Sequence, residues 1–448
     1  MSPVLIRLTT LLALIALGFV LSAIEVPANV GALTAMLVGF TLLVAYVAGA
    51  LAVASGLPRL TGYVVSGILI GPFVLGVLEP GMVESLRTID NVALALIALT
   101  AGGEIRIVQL RRVLRSVIGL SVGVMSIVMA GIMVLVIAAA PLVPMLADRP
   151  FGFTIAVALL LGIWCANSSP DATVAIINET GARGDFTETL LGVTILKDVL
   201  VIIAFAGALA VARPLVEPDA SFEAALIATI AWEVFGALVI GGIAGLVFAF
   251  YLEKVGMRTV LATLVFAFVI TLISEELHLE LLLTGVGAGF AIENFSQTGD
   301  ELIDAVERNA TAVFALFFAL AGATLDIGAL TEFWVYAIVV VAVRAALTWA
   351  GARAGARIGR TEPEIADRAW LGLISQAGVT LGLSLLVGRE FPTWGTDFVT
   401  MAAAIIIVHL LVGPVLLKIA LTRAGETREQ RKGSSDAKEQ LAEVVRPS

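Results

Sequence analysis

Fourteen apolar stretches recur along the chain, and each is close to the length of about 20 residues that a helix needs to cross a bilayer. Lipid offers no water to bond the backbone, so a spanning segment must satisfy its own hydrogen bonds, as a helix does. Apolar residues make up 59% of the chain, charged residues only 14%, and the mean hydropathy is +1.04. We therefore predict an all-α polytopic membrane protein with about 14 transmembrane helices, at approximately 4–23, 31–54, 58–76, 83–104, 112–140, 151–178, 186–211, 221–251, 257–274, 280–293, 309–326, 332–352, 367–388 and 396–417.

The charges between these stretches predict on which side of the membrane each loop lies. Cytoplasmic loops are enriched in Lys and Arg, and most of the 27 basic residues fall in alternate loops and in both ends if the N-terminus lies inside. We expect a multi-pass plasma (inner) membrane protein with both termini cytoplasmic. Residues 1–23 are typical either of a cleaved signal peptide or of a retained helix, and the bulky Leu21 upstream of Ala23 favours retention.

The sixth stretch is interrupted by polar residues, Asn167-Ser168-Ser169-Pro170-Asp171. Ser169 is a suitable N-cap, Pro170 suits the first helical position, and Asp171 complements the positive end of the helix dipole. We predict a helix that stops and restarts inside the membrane, as in secondary transporters that bind ions at the midplane. A kinked structural helix is the alternative.

The seventh stretch carries two adjacent charges, Lys197 and Asp198, near its middle. An ionisable side chain there costs at least about 2.5–3.5 kcal/mol, so it marks an ion or proton pathway by default. A carboxylate in a low-dielectric setting can exchange a proton for a monovalent cation. We predict Asp198 as the shared site; the alternative is a structural Lys197–Asp198 network. The other ion-binding candidates are Lys197, Thr194, Ser168, Ser169, Asn167 and Asp171, the last of which is a second ligand, a counter-ion or a helix cap.

Two weak similarities between distant segments of the sequence indicate an internal repeat with an offset of seven spans. ALTAGGEI (98–105) resembles ALAGATLDI (319–327), and GYVVSGILIGP (62–72) resembles LLLTGVGAGFAIEN (281–294). An odd offset inverts the second copy, so the broken sixth span predicts a broken thirteenth. We expect two inverted repeats with crossed broken helices, and the site-organising candidates are Arg344, Glu233, Glu104, Ser375 and Gln376.

The rare residue types exclude several functions. A single cysteine, Cys165, excludes an internal disulfide and a Cys-rich metal centre, and two histidines, His278 and His409, argue against a histidine metal site. The basic residues follow the topology and form no cluster that would attract nucleic acid. We expect no enzymatic activity, no cofactor and no nucleic-acid partner.

Six stretches resemble the monovalent cation:proton antiporter superfamily, in the branch with bacterial sodium/proton antiporters and potassium-efflux proteins. The resemblance implies exchange of Na+ or K+ for H+ by alternating access, with Asp198 as the ion-binding aspartate and Arg344 as the basic residue before the second broken span. It also implies a homodimer. The stretches are GYVVSGILIGPFVLG (62–76), LTAGGE (99–104), SSPDATVAIINETGA (168–182), LLGVTILKDVLVI (190–202), LFFALAGATLD (316–326) and HLLVGPVLLKIAL (409–421).

The resemblance further implies a division into a static scaffold and a moving core. The expected domains are an extra N-terminal helix at 1–30, a first inverted repeat at 31–213 (scaffold helices 31–104, core helices 110–213), a linker helix at 214–254, a second inverted repeat at 255–421 (scaffold helices 257–330, core helices 332–421) and a charged cytoplasmic tail at 422–448.

Lys197 departs from the resemblance, because the family usually has Asp, Asn or Gln at this position. We expect Lys197 to reach an acid such as Asp171 and to stay charged, which makes the exchange electroneutral; release of its proton on cation binding is the alternative. The sequence leaves open the choice between Na+ and K+. It also leaves open two other functions. One is a symporter or channel of related fold for a cation or a small solute, and the other is an intramembrane aspartyl protease with Asp171 facing Asp198.

Overall fold

The computed structural model describes residues 3–22, 30–216 except 144 and 148, 228–255 except 230, 259–296 and 310–431. Every regular element within these residues is helical. The α-helices are α1 (Pro3–Ser22), α2 (Val30–Ala54), α3 (Arg59–Ile70), α4 (Pro80–Ser85), α5 (Arg87–Gly103), α6 (Ile107–Ala139), α7 (Phe151–Ala166), α8 (Pro170–Thr180), α9 (Asp185–Val216), α10 (Ala237–Val255, preceded by a π-helical turn at Trp232–Gly236), α11 (Thr259–Glu276), α12 (Leu281–Phe295), α13 (Ala310–Ala323), α14 (Ile327–Gly359), α15 (Pro363–Gly372), α16 (Gly378–Glu390) and α17 (Gly395–Ala424).

Each of the fourteen predicted spans corresponds to one helix or to two consecutive half-helices. Seven segments of the described chain are long and apolar enough to cross a membrane, and five shorter apolar helices accompany them. Helix α11 and the pair α15–α16 supply the remaining two spans. The predicted all-helical membrane fold is confirmed, while the predicted tail beyond residue 431 and the start of the predicted linker helix at 217–227 lie outside the described residues.

The sixth span is broken at the predicted position. Helix α7 ends at Ala166, and α8 begins at Pro170 with Ser169 as its N-cap. Ser169 Oγ accepts a hydrogen bond from Ala172 N at 3.0 Å, which satisfies one of the N–H groups that a helix start leaves unpaired. The intervening Asn167 has extended backbone angles, so the chain crosses the break without continuing the helix.

The thirteenth span is also broken, as the inverted repeat predicts. Helix α15 ends at Gly372 and α16 begins at Gly378. The two breaks contact each other: Ser169 N donates to Ser375 O at 2.9 Å, and Ser168 Oγ donates to Leu373 O at 2.8 Å. Backbone groups that the breaks release are thus bonded within the protein, which is the condition for non-helical backbone at membrane depth.

Glycines allow neighbouring helices to approach the broken pair closely. Helices α6 and α14, which precede the two broken spans, cross where a Cβ on Gly123 would lie only 2.4 Å from the Cα of Gly355. Helix α17 packs directly on the second break, since a Cβ on Gly413 would lie 2.5 Å from the Cα of Ser375. Close backbone approach through small residues is the usual way in which membrane helices associate, and here it holds both breaks in place.

Glu426, two residues after the end of α17, caps the helix that carries Lys197 and Asp198. The Glu426 carboxylate accepts hydrogen bonds from the backbone N–H groups of Phe186 at 2.9 Å and Thr187 at 2.8 Å, and from Thr187 Oγ1 at 2.6 Å. Arg183 N also donates to Glu426 O at 3.0 Å. These bonds satisfy the first N–H groups of α9 and place a negative charge at the positive end of its dipole. The last helix therefore fixes the start of α9.

Candidate functional site

Asp198 lies fully inside the protein, at 0% exposure, on the part of α9 that runs past the crossing of the two breaks. Neither of its carboxylate oxygens has a hydrogen-bond partner among the described residues. A buried carboxylate without partners is costly unless a proton or a cation neutralises it. The position is therefore suited to hold either one.

Lys197 is buried beside Asp198, at 1% exposure. Its ammonium donates to Ser168 Oγ at 2.7 Å, and the Ser168 hydroxyl donates onward to Leu373 O at 2.8 Å. The structure gives Lys197 a hydroxyl partner where the sequence led us to expect an acid such as Asp171.

Asp171 occupies the first turn of α8 and is 3% exposed. Ser169, the N-cap of the same helix, donates its hydroxyl to Asp171 Oδ1. A carboxylate in this position interacts favourably with the N-terminal end of the helix dipole. Of the three roles left open for Asp171, this arrangement favours the helix cap.

Arg344 lies on α14 at the crossing, with 1% exposure. Its guanidinium donates to carbonyl oxygens on both sides of the crossing: Cys165 O at 2.6 Å, Asn167 O at 2.6 Å, Ile374 O at 2.7 Å and Leu373 O at 3.3 Å. A positive charge there also interacts favourably with the C-terminal dipole ends of α7 and α15. Arg344 therefore occupies one acceptor position of the Asn167 carbonyl, one of the oxygens that the first break releases.

The second break contributes further polar groups. Gln376 Nε2 donates to Trp164 O at 3.2 Å, which leaves Gln376 Oε1 buried without a partner among the described residues. Ser375 Oγ is likewise buried and unpartnered within the described chain. The breaks thus bring together Ser168, Ser169, Ser375 and Gln376, as the repeat predicts.

Thr380 is a site residue that sequence reasoning missed. It lies in the first turn of α16, where its Oγ1 accepts a hydrogen bond from Asn167 Nδ2 at 3.3 Å and its carbonyl accepts one from Trp164 Nε1 at 2.8 Å. The internal repeat contained the signal, because Thr380 follows the second break as Asp171 follows the first.

Three other predicted residues lie on the helices around the two breaks. Thr194, one turn before Asp198, donates its hydroxyl to Leu191 O at 2.9 Å in its own helix. Glu104 is the C-cap of α5, and Glu233 lies in the π-helical turn with its carbonyl bonded to Glu280 N at 3.1 Å. Glu104 and Glu233 thus each lie at the end of a different helix.

The arrangement is suited to a monovalent cation with oxygen ligands. Hard cations prefer carboxylate, carbonyl and hydroxyl oxygens, and the buried oxygens without partners in the described chain include both of Asp198, Ser375 Oγ and Gln376 Oε1. The described residues contain no group of three or more His, Cys, Asp or Glu side chains that could hold a metal ion. One carboxylate, that of Asp198, can balance one positive charge.

Comparisons with known proteins agree with this geometry. The family model described as "Sodium/hydrogen exchanger, transmembrane" matches residues 39–423. The Na(+)/H(+)-K(+) antiporter GerN of Bacillus cereus is 25% identical over 390 residues, which are 85% of this chain and 94% of the relative. A structure of the sodium proton antiporter MjNhaP1 from Methanocaldococcus jannaschii at pH 8 has a TM-score of 0.65 at 17% identity, covering 87% of this chain and 96% of that one. A second MjNhaP1 structure, from electron microscopy, also has a TM-score of 0.65, with 86% and 94% coverage.

Proposed function

This chain belongs to the sodium/hydrogen exchanger family and is a transmembrane cation:proton antiporter, and we propose that Asp198 is the site for which the cation and the proton compete. The observation that carries this assignment is the burial of both carboxylate oxygens without a hydrogen-bond partner in the described chain. A single buried carboxylate can be neutralised by either ion but not by both at once. Binding one ion therefore requires release of the other.

We propose Na+ or K+ as the exchanged cation, since the name of the Bacillus cereus relative includes both ions. The test is proton flux in proteoliposomes that carry an imposed pH gradient. Addition of NaCl or KCl should dissipate the gradient, whereas choline chloride, whose cation is too large for a site of this kind, should not. Dissipation that needs no alkali cation would contradict cation:proton exchange.

The packing supports a division into a moving core and a scaffold. Helices α6, α7, α9, α14, α15 and α17 pack mainly against one another, and helices α2, α3, α5, α11, α12 and α13 form a second group. Helix α8, which follows the first break and contacts α9, is bonded to the second group: the Glu179 carboxylate accepts a hydrogen bond from Arg59 N of α3 at 2.8 Å. We propose that this bond breaks as the core moves. Unimpaired exchange with a covalent cross-link between residues 59 and 179 would contradict the movement.

We propose that Lys197 carries a second proton. Its partner is a neutral hydroxyl, so an incoming cation at Asp198 would meet a nearby ammonium unless Lys197 lost its proton. Exchange of two protons for one cation moves net charge, and a membrane potential of 100 mV acts on one charge with about 2.3 kcal/mol. We expect such a potential to change the equilibrium cation ratio by about 50-fold. The measurement is the cation gradient in proteoliposomes with a clamped potential.

The dependence of the equilibrium cation ratio on the membrane potential should vanish in Lys197→Gln, which keeps a polar side chain but cannot carry a proton. Lys418→Gln, which removes a partly exposed ammonium near the end of α17, is the matched control and should keep the shift. A cation gradient in the unmodified protein that ignores the potential would instead support the electroneutral exchange expected from the sequence.

We also propose that both termini are cytoplasmic and that two copies form a dimer. The first statement is supported by the distribution of Lys and Arg, the second by the family resemblance. With Cys165 replaced, a thiol introduced at Arg7 or Lys432 should be labelled by an impermeant reagent only from the cytoplasmic side. The mass of the detergent-solubilised protein should be that of two chains.

The two alternatives from the sequence are disfavoured. Membership of an exchanger family argues against a symporter or a channel. A pair of catalytic aspartates would have to face each other across a substrate, whereas Asp171 is bonded to the N-cap Ser169 of its own helix. Cleavage of a helical reporter substrate would be needed to revive the protease hypothesis.

A further inference from the structure

Two short linkers in the described chain join scaffold helices to core helices, one in each repeat. Residues 104–106 connect α5 to α6, and residues 324–326 connect α13 to α14. The similarity between ALTAGGEI (98–105) and ALAGATLDI (319–327) pairs the two linkers as equivalent elements of the two repeats. Movement of the core relative to the scaffold must therefore change the geometry of one linker or of both.

The end of α12 holds the first linker from the scaffold side. Asn294 Oδ1 accepts a hydrogen bond from Ile107 N at 2.7 Å, and Asn294 Nδ2 donates to Ile105 O at 2.7 Å. Glu293 Oε1 lies 2.8 Å from Arg106 Nε. A backbone N–H only donates and a carbonyl oxygen only accepts, so these partners fix the orientation of the Asn294 amide. Together the contacts form a clamp around the junction between α5 and α6.

Helix α12 is itself packed tightly on α5. A Cβ on Gly289 would lie 2.0 Å from Leu99 O, and a Cβ on Gly102 would lie 2.1 Å from Val286 O. At such distances the two backbones meet without side chains between them, which is how small residues bring membrane helices together. The clamp therefore ties the start of the core helix α6 to a closely packed part of the scaffold.

Hydrogen bonds of the second linker, within the described chain, run only to neighbouring residues. Asp326 is the N-cap of α14, and its Oδ1 accepts from Gly328 N at 2.7 Å. Thr324 Oγ1 donates to Ala321 O at 2.8 Å. Helix α14 then departs from helical geometry at Phe333, where φ is −109° and ψ is 16°. The second repeat thus joins scaffold to core through a linker with local caps, followed by a kink.

We propose that the clamp of Asn294 and Glu293 is the fixed pivot about which the core turns, and that the second linker and the kink at Phe333 absorb the movement. The inference rests on the proposed movement of the core against the scaffold. Asn294 is a positioning residue, since its hydrogen bonds run to the first linker and to its own helix. With the N-terminus inside, the clamp lies on the cytoplasmic side, so the core should be displaced most at its outer end.

A covalent cross-link tests the pivot directly. With Cys165 replaced, cysteines at positions 106 and 293 are joined by a short bifunctional thiol reagent, and a monofunctional reagent on the same variant gives the reference flux. Because a pivot stays in place, we expect the cross-linked protein to retain at least about half of its cation-dependent proton flux. The same reagent across positions 59 and 179 should lower the flux at least about tenfold, because that contact has to separate.

Substitutions of Asn294 test its role in turnover. Asn294→Ala removes both bonds to the linker and should lower kcat about tenfold, the order expected for hydrogen bonds lost from a conformational step. The KM for Na+ or K+ should change by less than about twofold, because the site at Asp198 keeps its own contacts. Asn294→Asp keeps the acceptor for Ile107 N but loses the donor to Ile105 O. We expect it to be as slow as Asn294→Ala, whereas a residue that only capped α6 would tolerate a carboxylate.

Asn91→Ala is the matched control. Asn91 Nδ2 donates to Glu275 Oε1 at 2.9 Å between α5 and α11, two helices of the scaffold, so its loss should leave kcat and KM as in the wild type. Loss of flux on cross-linking 106 to 293, or a wild-type kcat in either Asn294 variant, would overturn the pivot alone. Flux that survives the cross-link of 59 to 179 would refute the movement on which the pivot rests. If Asn294→Ala is not recovered folded, Asn294→Asp and the cross-links decide.

Discussion

Asp198→Asn is expected to abolish cation-dependent proton flux in proteoliposomes, by at least about 100-fold. The amide has nearly the same shape as the carboxyl group but neither binds a proton nor balances a cation, so both halves of the exchange are lost together. Folding should be retained, because the substitution removes a buried ionisable group that has no hydrogen-bond partner in the described chain. Flux and the elution profile in detergent are the two measurements.

Binding should be lost in the same variant. A ligand that binds only the folded state raises its stability by RT ln(1 + [L]/Kd), so NaCl or KCl should raise the Tm of the wild type but not of Asp198→Asn. Asp367→Asn is the matched control: it removes an exposed carboxylate paired with Arg353 at 2.9 Å, and it should retain both responses. Retention of cation-dependent flux in Asp198→Asn would reject the assignment.

Arg344→Leu is expected to cost about 3–5 kcal/mol of stability, because it removes several buried hydrogen bonds to a charged group, each worth about 1.5–3 kcal/mol. The guanidinium bonds four carbonyl oxygens from the two breaks, and leucine leaves all four without this donor in the protein interior. An unpaired buried acceptor costs about 1–3 kcal/mol, so part of the loss must be relieved by movement of the crossing. The measurement is the Tm and the yield of monodisperse protein.

Arg353→Leu is the control for this second substitution, because Arg353 lies on the same helix but is exposed and paired only at the surface. Exposed ion pairs contribute about 0–1 kcal/mol, so this variant should remain folded. Arg344→Lys should be intermediate, since a single ammonium cannot reach the carbonyls of both breaks as the planar guanidinium does. Wild-type stability in Arg344→Leu would show that the crossing does not depend on this cation.

The sequence by itself determined the spans, the two breaks and the helix that carries Asp198. These features depend on local properties of the chain. Runs of apolar residues of bilayer length must become helices in lipid, and Ser169 followed by Pro170 starts a new helix wherever it occurs. Because a charge within a membrane span is costly, the sequence also identified Lys197, Asp198 and Arg344 as candidate functional residues.

Only the tertiary structure decided which groups bond to which. Ser168 binds Lys197 across 29 positions, Arg344 binds Asn167 O across 177, and Thr380 binds Asn167 across 213. A hydrogen bond requires donor and acceptor within a few tenths of an ångström of about 3 Å. Spacing along the sequence places residues on a helix face but does not set the register of two helices that meet from opposite repeats. For this reason the sequence analysis predicted an acidic partner for Lys197 and missed Thr380. The contacts of both residues depend on how the two breaks cross.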